Sequence, residues 1–239
     1  WGKGMTALRA GGVAVVTGGA SGIGWGITRA LHSEGLRVEV VDRDARRLQE
    51  AAAQLPVGVH DVDVTDAQAL RALAARLADQ HGGIDVLVNN AGVGPAARIV
   101  DTTLSDWRWI LDVNLMGVVH GIGAFLPGML ERGTPAHIVN TASMSALDPI
   151  AGLGAYAASK AAVAALTDAL GAELDGTPVG VSLLVPANVR TNIAENSAAL
   201  RPATESGFGD YRPAAPPEQI QWRSAEDVGA IVIEGIRAG

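Results

Sequence analysis

The sequence predicts an α/β fold, a single-domain Rossmann-type doubly wound parallel sheet with helices on both faces. Three observations carry that expectation. Short β-branched runs alternate with Ala- and Leu-rich helical patterns from Gly12 to Val185. The strand runs are apolar nearly throughout, as strands covered on both faces are, instead of alternating polar and apolar. A glycine-rich turn, Thr17-Gly18-Gly19-Ala20-Ser21-Gly22-Ile23-Gly24, follows the first strand directly and opens the first helix.

In chain order the expected strands are 13–17, 37–41, 57–62, 84–89, 137–142 and 179–185, with helical patterns at 23–34, 44–54, 66–80, 105–131 and 154–175. Right-handed crossovers between such strands wind helices onto both faces of one sheet. Neither an internal repeat nor a Gly/Ser linker divides the chain, so one domain is expected over 5–239. Residues 1–4, ahead of Met5, read as an expression remnant. The stretch 190–223 is rich in Pro, Ala, Ser and charge, and its length predicts a substrate-binding lid. A last helix is expected from Ser224 to about Arg237, with Ser224 as N-cap and Glu226 and Asp227 in the first turn.

Composition removes several function classes. A net charge of −7 over 239 residues, with no basic run, argues against nucleic acid and anionic membrane as partners. No apolar stretch is read as reaching the roughly 18 residues that span a bilayer. With no cysteine, thiol nucleophiles, disulfides and cysteine zinc sites are excluded. The histidines His32, His60, His81, His120 and His137 show no metal-ligand spacing, so no metal is expected. A cytoplasmic enzyme acting on a small molecule is the expectation.

The glycine turn is the first half of a chemical site. Gly18, Gly22 and Gly24, with Ser21 and Ile23 between them, let the backbone approach a pyrophosphate, and the helix behind them offers unpaired N–H groups. The spacing is Gly-x-x-x-Gly-x-Gly, which differs from the commoner Gly-x-Gly-x-x-Gly. Asp42 closes the second strand, where a carboxylate can accept hydrogen bonds from both ribose hydroxyls and repel a 2′-phosphate. That favours NAD over NADP. The adjacent Arg43 pulls the other way, since a guanidinium can stabilise a 2′-phosphate. Asp63 and Val64, after the third strand, are placed to flank an adenine, and Asp63 reads equally well as a loop carboxylate.

The second half lies in Gly154-Ala-Tyr-Ala-Ala-Ser-Lys160, downstream of Ser143. On a helix, Tyr156 and Lys160 share one face. A nearby ammonium is expected to lower a phenol pKa that is ordinarily about 10, making Tyr156 a base for an alcohol or an acid for a ketone.

These motifs together resemble the classical short-chain dehydrogenase/reductase family. The matches are Thr17-Gly-x-x-x-Gly-Ile-Gly24, Asn89-Asn90-Ala91-Gly92, Asn114, Ser143 and Tyr156-x-x-x-Lys160, in the family's order, over roughly residues 12–237. The resemblance implies a nicotinamide-dependent alcohol dehydrogenase or ketone reductase. It implies Tyr156 as catalytic acid/base, Lys160 on the nicotinamide ribose, Ser143 on the substrate oxygen, and Asn114 holding a water of a proton relay. Asn90, Ala91, Gly92, Pro186, Val189 and Thr191 would line the cofactor, with Ala187 standing where the family usually has Gly. The family's final strand has no counterpart before Gly239. Trp107 and Trp109 flank a helix that helps form subunit interfaces in this family, whose members are commonly tetramers or dimers. The string from Pro186 to Pro202 also resembles a subgroup that includes Cα-dehydrogenases of lignin-derived aryl ethers.

Val93, Gly94, Met144 and Leu147 beside these motifs predict an apolar substrate pocket, joined by Ala187, Asn188 and Trp222, and hence a hydrophobic or aromatic secondary alcohol or ketone. Two other readings remain at this stage. One is a non-catalytic dinucleotide sensor; the other is a sugar-nucleotide epimerase or dehydratase using the same Tyr/Lys pair.

Overall fold

The structure, a computed structural model, describes residues 7–187, 189, 193, 197 and 222–239. The predicted Asn188 and Thr191, residues 1–4 and most of the proposed lid lie outside them. Among the described residues the strands are β1 (Val13–Thr17), β2 (Arg37–Asp42), β3 (Gly58–Asp61), β4 (Val86–Asn89), β5 (Ala136–Thr141) and β6 (Val179–Leu184). They form one six-stranded parallel sheet in the order β3-β2-β1-β4-β5-β6. Strand order therefore reverses between β1 and β4, which opens a crevice at their C-terminal ends.

The helices are α1 (Gly22–Ser33), α2 (Ala45–Gln54), α3 (Ala67–His81), α4 (Leu104–Leu111), α5 (Gly117–Arg132), α6 (Gly154–Glu173) and α7 (Ala225–Ala238). β1 shows why the sheet needs helices on both faces. Val13 and Val15 point into a core shared with α3, α5 and α6. Ala14 and Val16 point into the other, shared with α1, α2 and α7. A strand apolar at every position has no side to offer water.

Local chemistry sets most helix ends. Asp44 caps α2 by accepting from Arg47 N at 3.1 Å, and Asp66 caps α3 from Gln68 N and Ala69 N. Capping boxes open α4 (Thr103, Asp106) and α7 (Ser224, Asp227). The expected N-cap Ser224 is thus in place. Fully buried Asp85 ties the N-terminal turn to the sheet, accepting from Val13 N at 2.8 Å and pairing with Arg9 and Arg132.

Two expectations need correction. The helical pattern at 105–131 is not one continuous α-helix: a π-turn, Asp112–Met116, separates α4 from α5. The segment Leu104–Arg132 is also long and apolar enough, by length and composition alone, to cross a membrane, where the sequence reading found no such stretch. In the fold it lies against the sheet, with Ile110, Phe125 and Met129 in the core.

Candidate active site

The crevice between β1 and β4 is a cleft of about 610 Å³. Its floor is two loops stitched together by the side chains that end β1 and begin the loop after β4. Thr17 Oγ1 accepts from Asn90 N at 3.0 Å and Ala91 N at 3.1 Å, while Asn90 Nδ2 donates to Thr17 O and Gly18 O. Such close approach requires glycine. Gly18 has φ +61°, and a Cβ there would sit 2.8 Å from Ala91 Cα; one at Gly24 would sit 2.0 Å from Gly18 O. The first turn of α1 carries no acidic residue, so its N–H groups and positive dipole end face the cleft uncompensated. Gly18, Ser21, Gly22 and Ile23 all line it. Backbone without side chains, N–H groups and a helix N-terminus together fit a pyrophosphate.

At the outer end, Asp42, Arg43, Asp63 and Val64 also line the cleft. Asp42 Oδ1 accepts from Asp44 N at 3.1 Å. Burial pushes the Asp42 carboxyl up, opposed by N–H donors from Asp44, Ala20 and Arg43. Arg43 Nη1 pairs with Asp63 Oδ2 at 3.0 Å. His120 Nδ1 donates to Val64 O at 2.9 Å, holding that wall in place.

At the inner end, Ser143, Tyr156 and Lys160 converge. Ser143 ends the loop from β5 and accepts from Ser145 N at 3.2 Å. Tyr156 lies in the first turn of α6, one turn before Lys160. Lys160 Nζ donates to Thr141 O at 2.8 Å and lies 6.0 Å from the Tyr156 ring centroid. Burial draws the Lys160 ammonium down to about 8. It pushes the Tyr156 phenol up, with a hydrogen bond from Ser143 opposing. This corrects the expectation that Lys160 lowers the phenol pKa: desolvation is the larger effect, and the ammonium is aimed at a carbonyl.

Asn114 occupies the π-turn and is fully buried. Its Oδ1 accepts from Val93 N at 2.8 Å, and Nδ2 donates to Val93 O at 2.9 Å and Ser159 Oγ at 3.0 Å. Both amide hydrogens are thus committed to protein, so the side chain braces the loop after β4 against α6. Ser159 in turn donates to Tyr156 O at 2.6 Å.

The family model for short chain dehydrogenases matches residues 12–201. The chain belongs to the short-chain dehydrogenase family. It is 40 % identical over 202 residues to the probable oxidoreductase EphD of Mycobacterium tuberculosis, covering 82 % of this chain but 34 % of that protein. The chain thus spans about a third of the length of the first relatives it matches. A 1-deoxy-11-beta-hydroxypentalenate dehydrogenase of Streptomyces exfoliatus is 40 % identical over 93 % of this chain and 78 % of its own. A C alpha-dehydrogenase of Sphingobium sp. SYK-6 is 37 % identical over 80 % and 64 %, in keeping with the subgroup resemblance. Among solved structures, a short-chain dehydrogenase/reductase from Burkholderia phymatum in complex with NAD superposes with a TM-score of 0.85 at 34 % identity, over 96 % of this chain and 86 % of that one. Its fold is of the Rossmann type.

In this member of the family, Asn90, Ala91, Gly92, Val93, Pro186, Ala187 and Val189 line the cleft as well. A Cβ on Gly94 would lie 3.4 Å from the Tyr156 ring. Met144 and Leu147 are exposed at the two ends of the short 3-10 turn beyond Ser143, and Trp222 is exposed; none of the three lines the cleft. Residues the sequence reading passed over include Thr141, which anchors Lys160 by its backbone carbonyl, and Ser159, which links Asn114 to α6. Ser159 stands beside Lys160 in the motif and could have been found there; a main-chain acceptor such as Thr141 O leaves no signal in residue identity. Arg46, Arg47 and Glu50 at the outer rim were also missed.

Proposed function

We propose that this short-chain dehydrogenase interconverts a hydrophobic or aromatic secondary alcohol and its ketone with NAD, using Tyr156 as acid/base. The observation that carries the reading is one cleft with a glycine cradle at one end and the Ser143, Tyr156 and Lys160 side chains at the other. When bound, NAD⁺ supplies at nicotinamide C4 the acceptor for the carbinol hydride.

The chain's own residues handle the proton and the geometry. Ser143 Oγ holds the substrate oxygen beside the phenol. In oxidation Tyr156 takes the hydroxyl proton as the C–H pair leaves, and in reduction it returns that proton to the carbonyl oxygen. Lys160 would hold the ribose of the bound cofactor, and its positive charge would stabilise the phenolate that forms. Because burial raises the phenol pKa, Tyr156 is protonated at neutral pH before cofactor binds; reduction is therefore favoured there and oxidation rises with pH. Asp42 at the ribose end supports NAD, as does the NAD complex of the Burkholderia relative. Apolar residues Val93, Val113 and Ile193 in the lining support a hydrophobic substrate, and the Streptomyces and Sphingobium relatives suggest alicyclic and benzylic alcohols as the first to try.

Tyr156→Phe tests the mechanism. Absorbance at 340 nm across a panel of such alcohols should show turnover reduced by at least about 10³-fold, with the NAD⁺ dissociation constant changed by less than about threefold. Substantial residual turnover in this variant rules out Tyr156 as the acid/base.

A further inference from the structure

Arg43, Arg46 and Arg47 face the outer end of the cleft, and guanidinium is the side chain best matched to a phosphate. Each is paired with a carboxylate. Arg46 pairs with Glu50 along α2, and Arg47 with the cap residue Asp44. Arg43 differs because its partner comes from the loop after β3: Nη1 lies 3.0 Å from Asp63 Oδ2.

Asp63 is held for this task by its own loop. Its Oδ1 accepts from Thr65 N at 2.9 Å and Thr65 Oγ1 at 2.8 Å. One carboxylate oxygen therefore fixes the loop after β3, and the other fixes the guanidinium beside Asp42.

We propose that Asp63 is a specificity-determining residue that acts through Arg43: the ion pair withholds from a 2′-phosphate the guanidinium best placed to receive it. The inference rests on reading the cleft as an NAD site, and it divides the preference between two carboxylates. Asp42 repels the phosphate, and Asp63 neutralises the counter-charge. A phosphate would have to share Arg43 with Asp63, which puts two anions against one cation. With side chains 44 % and 33 % exposed, the pair is screened by salt; its effect is on ligand choice more than on folding.

Titration calorimetry with NAD⁺ and NADP⁺ tests this on the wild type, Asp63→Asn, Arg43→Ala and the double variant. Asparagine keeps the acceptor for Thr65 and removes the charge. Asp63→Asn is expected to shift the NADP⁺/NAD⁺ affinity ratio about tenfold toward NADP⁺, or about 1.4 kcal/mol. The shift should vanish in the Arg43→Ala background, shrink in high salt, and be absent in Asp63→Glu, which retains the charge. An unchanged ratio in folded Asp63→Asn overturns the proposal. So does an equal shift without Arg43, which would make Asp63 a bare repulsive charge. A wild type that binds NADP⁺ more tightly instead overturns the NAD reading, and this assignment with it.

Discussion

Lys160 is 3 % exposed, and its charge is satisfied in the structure by the carbonyl of Thr141. Burial lowers its pKa from 10.5 to about 8, so below pH 8 the folded protein carries a cation it would hold more comfortably unfolded. The sign follows. Between pH 8 and 10.5 the unfolded chain binds the extra proton, so stability rises with pH across that window. The shift corresponds to roughly 3 kcal/mol of cost at neutral pH. Lys160→Met should therefore lose activity yet raise the cofactor-free unfolding free energy near pH 7, by up to about that amount, with the gain over wild type shrinking toward pH 10.5. Urea titrations across this range measure it, and a gap independent of pH would show that the ammonium costs the fold nothing. The Tyr156/Lys160 spacing was readable in the sequence because helical periodicity puts i and i+4 on one face. The direction of the Tyr156 shift was not, since it depends on how deeply α6 buries the phenol.

At the scale of elements, α1 and α7 cross with backbone against backbone. A Cβ on Gly26 would lie 2.0 Å from Ala225 O, and one on Gly229 would lie 2.5 Å from Gly26 O. Backbone meets backbone there, so neither helix can yield by turning a side chain. Gly26→Ala should destabilise by about 1–3 kcal/mol through overpacking, although alanine is the better helix former. Gly235→Ala, in α7 with nothing within 4 Å of its Cβ position, should instead stabilise by about 0.5–1 kcal/mol. Equal effects of both variants in thermal melts would contradict the crossing geometry. Elements whose cause is local were legible: β1 falls on the expected 13–17, and Ser224 caps α7. The break after Leu111 was not, because it accompanies a long-range contact in which Asn114 in the π-turn grips both polar groups of Val93. The stitching of Thr17 to Asn90 is likewise a product of strand order, which brings β1 and β4 together from distant parts of the chain.

Across the whole molecule, the two flanks of the sheet carry different acid-sensitive groups. On the β2–β3 flank, Glu39 accepts from His60 Nε2 at 2.7 Å and His81 Nε2 at 3.2 Å, and the His60 hydrogen bond leads in holding its carboxyl below 4.5. On the β5–β6 flank, His137 is 3 % exposed, its Nε2 lies 2.8 Å from Ser182 Oγ, and burial draws its pKa from 6.5 to about 4. Both shifts are downward, so both groups bind protons more readily when the chain unfolds, and stability falls as pH falls. The windows differ. His137 acts between pH 6.5 and 4, where the cost reaches roughly 3 kcal/mol. Glu39 acts only below 4.5, as its carboxylate and the contacts it accepts are lost. Denaturant titrations in small pH steps should therefore show an acid arm in two stages. His137→Gln should flatten the upper stage while leaving the lower, and Glu39→Gln should do the reverse. These variants lower overall stability as well, through lost packing on Gly180 or lost bonds to the histidines, so the discriminating quantity is the slope against pH and not the midpoint. An upper slope that survives in His137→Gln would place the acid sensitivity elsewhere than at the β5–β6 flank.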